Sequence, residues 1–120
     1  MRRLLVLLLC AVLLGGCLVP TEPSKQAEEV ASVAAEGALL AHDAAEGDTT
    51  LTFTRVHAGE LRSKLSQLEP EVDVRALSRL LAEADRALGV LEDDPGDRHR
   101  ARSTERRLDR VSRRAARYAG

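Results

Sequence analysis

The chain has 120 residues, with 18 basic and 19 acidic side chains and a formal net charge of −1. That is room for one small domain and no more. Phe53 and Tyr118 are the only aromatics, so the core must be built from Leu, Val and Ala, and the platforms that stack bases are missing.

The N-terminus opens Met1-Arg2-Arg3 and runs into eleven apolar residues, Leu4 to Leu14, followed by Gly15-Gly16-Cys17. A positive start, an apolar middle and small residues before a cut make a secretory signal peptide. Leu14-Gly15-Gly16-Cys17 resembles the lipobox of bacterial lipoprotein precursors, with an aliphatic residue three positions before the cysteine and small residues beside it. The resemblance covers only the first seventeen residues. It implies a signal peptide over 1–16, cleavage before Cys17, and lipid on the Cys17 thiol. The mature protein is then extracytoplasmic, anchored by lipid to the outer face of the cytoplasmic membrane, or to an outer membrane where the host has one. Leu18 rather than Asp after the cysteine resembles the outer-membrane sorting class. Cys10 is a poor rival because Leu9 stands where a small residue is required. The competing reading is an uncleaved anchor. Its uncharged run, residues 4–20, sits at the bottom of the roughly 17–25 residues a spanning helix needs, and two glycines and a proline crowd its end.

With Cys10 removed and Cys17 lipidated, no thiol remains, so disulfides, thiol catalysis and cysteine-ligated metals are excluded. Residues 17–23 read as a tether with two prolines, reaching at most about 25 Å to Ser24. The domain is therefore expected close to the membrane surface.

Residues 24–120 show four stretches of helical punctuation. The first, 24–46, has Ser24 as candidate N-cap, Gly47 past its end, and Val30, Val33, Gly37, Leu40 and Ala44 on one face. The second, 48–68, is read as capped by Asp48, with the seam Leu51, Thr54, Ala58, Leu61, Leu65 and Leu68. Its opening, Thr49 to Val56, alternates like a strand, but no partner strand is evident and helix is the reading adopted. The third, 70–93, is expected to start at Pro70, with the seam Val74, Leu77, Leu81, Ala84, Leu88 and Leu91. The fourth, 95–119, is expected to start at Pro95 behind an Asp94 cap, with the seam Ala101, Thr104, Leu108, Val111, Ala115 and Tyr118. Short connections between helices of about 20–24 residues predict an all-α fold, an antiparallel up-down four-helix bundle. The alternative is a three-helix core with one loosely docked terminal helix.

Charge is unevenly spread. Residues 17–94 hold 7 basic and 16 acidic side chains, whereas residues 95–120 hold 9 arginines against Asp97, Glu105 and Asp109. Arg106, Arg107, Arg110, Arg113, Arg114 and Arg117 form a two-heptad echo along the last helix. One reading pairs these arginines internally with an acidic bundle. The other gives them an anionic partner: lipid headgroups, an acidic envelope polymer or an acidic protein. A nucleic-acid partner is disfavoured by the compartment, the acidic balance and the missing aromatics.

For metal, His42 and Glu46 share one face of the first helix, and His57 lies beside the seam of the second, so a bundle could bring the three together. The spacing is His-x-x-Glu around His57 and Glu60, the reverse of the Glu-x-x-His repeat of di-metal bundles, and His99 reads as exposed among arginines. No phosphate loop, nucleophile elbow or other catalytic spacing occurs. The expected function is a membrane-anchored, non-catalytic helical interaction or structural module of the cell envelope, needing no cofactor.

Overall fold

The computed structural model describes residues 22–120, which form four α-helices: α1 (Pro23–Glu46), α2 (Leu51–Leu68), α3 (Arg75–Asp93) and α4 (Arg98–Ala119), with a 3₁₀ turn at Glu69–Glu71. Among the described residues there is no strand. Residues 1–21, on which the signal-peptide, Cys17 and most of the tether expectations fall, lie outside them.

All four helix starts differ from the sequence expectation, each for a local reason. In α1, Pro23 takes the first helical position, where its fixed φ suits the helix and its missing N–H is harmless, so Glu22 rather than Ser24 stands at the cap. Before α2, the Asp48 N–H donates to the Asp43 carbonyl at 2.8 Å, and the Gly47 N–H donates to Ala44 at 3.3 Å. Both bonds close α1 through Gly47 at φ 76, a Schellman arrangement. With the Asp48 backbone so used, Thr50 caps α2 instead, its hydroxyl accepting from the Phe53 N–H at 3.1 Å. The alternating stretch is thus helical from Leu51 onward.

Pro70 does not begin α3. It sits in the 3₁₀ turn that extends α2, the β-branched Val72 and Val74 keep the chain extended, and α3 starts at Arg75. Nor does Pro95 begin α4. The Asp94 N–H ends α3 on the Val90 carbonyl at 3.0 Å, and Asp97 N–H to the Asp94 carbonyl at 3.3 Å closes a β-turn with Pro95 in its second position. Asp97 is the cap, its carboxylate accepting from the Arg100 N–H at 3.0 Å.

The seams themselves are the core. Val30, Val33, Gly37, Leu40 and Ala44 of α1 are buried, as are Thr54, Ala58, Leu61, Leu65 and Leu68 of α2. So are Leu77, Leu81, Ala84, Leu88 and Leu91 of α3, and Ala101, Thr104, Leu108, Val111 and Ala115 of α4. Three terminal seam residues are not buried: Leu51 is 59% exposed, Val74 37% and Tyr118 47%. Each sits at or next to a helix end. Buried Thr54 satisfies its hydroxyl by donating to the Thr50 carbonyl at 2.9 Å.

The face of α1 is wider than its seam, adding Ala27, Ala34, Ala41 and Ala45. These small residues let α4 approach closely, and α1 with α4 is the most extensive helix pair. A Cβ on Gly37 would meet Leu88 at 2.9 Å and Leu108 at 3.0 Å, so glycine is where α3 and α4 converge on α1. The pairing of α4 with α1 runs in reverse order: Arg102 reaches Glu46, Glu105 reaches His42, and the Ser112 hydroxyl donates to the Ala31 carbonyl at 2.9 Å. Gln26 near the start of α1 donates to the Glu71 carbonyl at 2.9 Å, bringing the α2–α3 connection to that same end. Between α2 and α3, Arg62 holds Asp85 at 3.0 Å and Glu92 at 3.5 Å, and Asp85 raises the Arg62 guanidinium above its ordinary value.

Candidate functional site

The capped start at Asp97 and the seam Ala101 to Ala115 orient α4 so that its charged positions turn away from the core. At about 100° per residue, Arg106, Arg110, Arg113 and Arg117 fall opposite Ala101, Leu108 and Ala115, while Arg107 and Arg114 lie on one flank. All six are exposed. Among the described residues, Arg113 is the member of this set with an acidic partner within ion-pairing distance, and that partner is Asp109, one turn back on its own helix at 2.9 Å. Arg110 has arginine at all four neighbouring helical positions: 106, 107, 113 and 114.

Apart from Arg113 with Asp109, the ion pairs of α4 among the described residues lie at its other end. Arg100 contacts Asp97 at 3.5 Å, and Arg102 contacts Glu46 at 2.8 Å and Glu105 at 3.8 Å. Glu105 in turn accepts from His42 Nδ1 at 2.9 Å. This four-residue network ties α1 to α4. The hydrogen bond from Arg102 is the main reason the Glu46 carboxyl lies below its ordinary range, with the charges of Arg102, His42 and Arg98 acting the same way against a smaller effect of desolvation.

The sequence-level metal set does not assemble. His42 and Glu46 face α4, where their polar atoms are taken by Glu105 and Arg102. His57 turns to another flank of α1. Its Nε2 is 3.2 Å from Glu36, its Nδ1 is 3.6 Å from Glu60, and its ring stacks on Phe53 at 5.4 Å between centroids. Each histidine is a link between or along helices, the commoner role of a seam-edge histidine. Among the described residues, no group of three or more His, Cys, Asp and Glu is placed to hold a metal ion. His99 is exposed.

Two opposed grooves carry opposite charge. The one between α1 and α2 is lined by Glu29, Glu36 and Glu71 with Lys64 as its cation. The one between α3 and α4, about 600 Å³, is lined by Arg79, Arg114 and Arg117 with Glu83 as its acid, along with Leu80 and Tyr118. Arg79 and Tyr118 were not among the charged candidates of the sequence. Tyr118 was read there as the last seam residue and Arg79 carried no signal beyond helical spacing from a seam, neither of which says which helix lies alongside.

Among the described residues, no helix is long and apolar enough to cross a membrane. No family model matches the chain, and neither curated proteins nor solved structures match it.

Proposed function

We propose that the chain is the precursor of a bacterial lipoprotein, lipidated at Cys17, whose helices form an antiparallel up-down four-helix bundle held at the membrane surface. Its role is non-catalytic, and the arginine face of α4 engages an anionic partner. The reverse-order contacts of α4 with α1 and the link from Gln26 to Glu71 support the up-down arrangement. The extent of the α1–α4 contact speaks against a loosely docked terminal helix.

The observation that carries the anionic reading is the state of Arg110. Like charges at i±3 and i±4 destabilise a helix by about 0.2–0.5 kcal/mol per pair. Four such neighbours and no acid within ion-pairing distance among the described residues make Arg110 a burden on the fold. Position adds to this. Arg113, Arg114 and Arg117 are level with the first half of α1, whose start at Pro23 is six residues from Cys17, at most about 22 Å. Near an anionic surface each basic residue contributes roughly 1 kcal/mol.

Two measurements test the reading. In cells, the wild-type chain should incorporate labelled fatty acid and sediment with membranes, and Cys17→Ala should do neither; unchanged labelling would end the lipoprotein claim. In solution, residues 22–120 should co-sediment with phosphatidylcholine vesicles containing phosphatidylglycerol, less so as salt rises. Binding should be lost when Arg106, Arg110, Arg113 and Arg117 become Gln. A protein partner is the second reading, favoured by the exposure of Leu39 on α1 and of Phe53 and Val56 on α2.

A further inference from the structure

The α3–α4 groove differs in kind from the open arginine ridge. It is lined by buried Leu80 and by Tyr118, with Arg79 from α3 and Arg114 and Arg117 from α4. None of these three arginines has an acid within ion-pairing distance among the described residues, including Glu83 in the same groove. Three guanidiniums with an apolar lining match a ligand with an anion at one end and hydrocarbon at the other. A free phosphate would use the charges and leave Leu80 and Tyr118 idle. Glu83 adds an acceptor at the groove that disfavours a dianion and suits hydroxyl donors.

The groove also lies at the right end of the molecule. Tyr118 ends α4, and the reverse-order contacts put that end beside the start of α1, the end from which the chain leads back to Cys17. An aromatic ring with one apolar and one polar edge is suited to the headgroup level of a bilayer.

We propose that this groove is a headgroup site for an anionic phospholipid of the membrane that anchors the chain. Arg79, Arg114 and Arg117 surround the phosphodiester, Glu83 accepts from headgroup hydroxyls, and Leu80 with Tyr118 contacts the glycerol and upper acyl chain. This rests on the membrane-surface placement proposed above and adds selection among lipids.

Tyr118 makes the test direct, because it is the sole tyrosine and the chain has no tryptophan. The mature protein purified from cells is placed in nanodiscs of phosphatidylcholine. A fixed fraction carries acyl chains brominated near the glycerol, on phosphatidylglycerol in one arm and on phosphatidylcholine in the other. Quenching of Tyr118 should be at least twofold stronger with the brominated phosphatidylglycerol. The excess should vanish in Arg79→Gln/Arg114→Gln and persist in Arg75→Gln/Arg86→Gln, which removes the same charge from positions outside the groove. Equal quenching by the two lipids, or equal loss in both double variants, overturns the site in favour of general attraction. Loss of the excess on adding inorganic phosphate or polyglutamate overturns it in favour of a free anion or an acidic polymer. If vesicle binding of residues 22–120 stays salt-sensitive while Tyr118 shows no excess quenching, the groove fails and the anionic reading survives.

Discussion

At the residue scale, the helix ends show how far local chemistry reaches. Four capping residues stand close together at two connections, Asp48 and Thr50 at one, Asp94 and Asp97 at the other. In each pair the first is consumed in finishing the helix before it, so the second caps the helix after it. That competition depends on which carbonyls the preceding helix leaves open, so composition alone did not reveal it. Gly47 was legible, because an αL closure is glycine's habitual place. Gly47→Ala should destabilise the protein by about 1–2 kcal/mol, through positive φ and a Cβ only 2.5 Å from the Arg98 guanidinium, read as a lower midpoint in urea. Glu46 gives a pH prediction. Its carboxyl titrates lower in the folded chain than in the unfolded one, so its contribution is present above the unfolded value and lost as pH falls through the folded one. Arg102→Gln should move the Glu46 midpoint back up toward the ordinary carboxylate range, followed by NMR titration; an unmoved midpoint would assign the shift elsewhere.

At the element scale, the four seams were readable because 3-4 spacing of apolar residues leaves a helix one way to bury them. What spacing could not convey was the width of α1's face, since Ala27, Ala34 and Ala41 favour a helix on any face and mark a buried one only once a neighbour is known. Gly37 makes the point quantitatively. An alanine there gains about 1 kcal/mol in helix propensity but presses on Leu88 and Leu108, so the net change should be small. Gly37→Leu has no such offset and should cost about 3 kcal/mol or more, seen as lost cooperativity in thermal unfolding. On α4 the sign reverses. Arg110→Gln should leave the fold as stable or stabilise it by up to about 1 kcal/mol, because it removes four like-charge neighbours. Added salt should raise the wild-type melting temperature more than that of the variant. A melting temperature lowered by Arg110→Gln would show that the residue serves the fold after all.

At the scale of the whole molecule, charge segregation acquires direction only through packing. The acid excess of residues 17–94 and the base excess of residues 95–120 could have cancelled across an interface. Instead Arg100 and Arg102 find acids at one end of α4, while Arg106, Arg107, Arg110, Arg114 and Arg117 stand unmatched among the described residues. The acidic α1–α2 groove and the arginine-lined α3–α4 groove consequently face apart. By itself the sequence determined the helical class and most of the four seams, because periodicity and composition are local properties. Tertiary structure decided which helix neighbours which. It drew His42 to Glu105 and His57 to Glu36 rather than to a shared metal, and it set Arg79 beside Arg114 and Tyr118. Those contacts join residues dozens of positions apart, and their partners are chosen by how four apolar faces close on one another, which no single helix encodes.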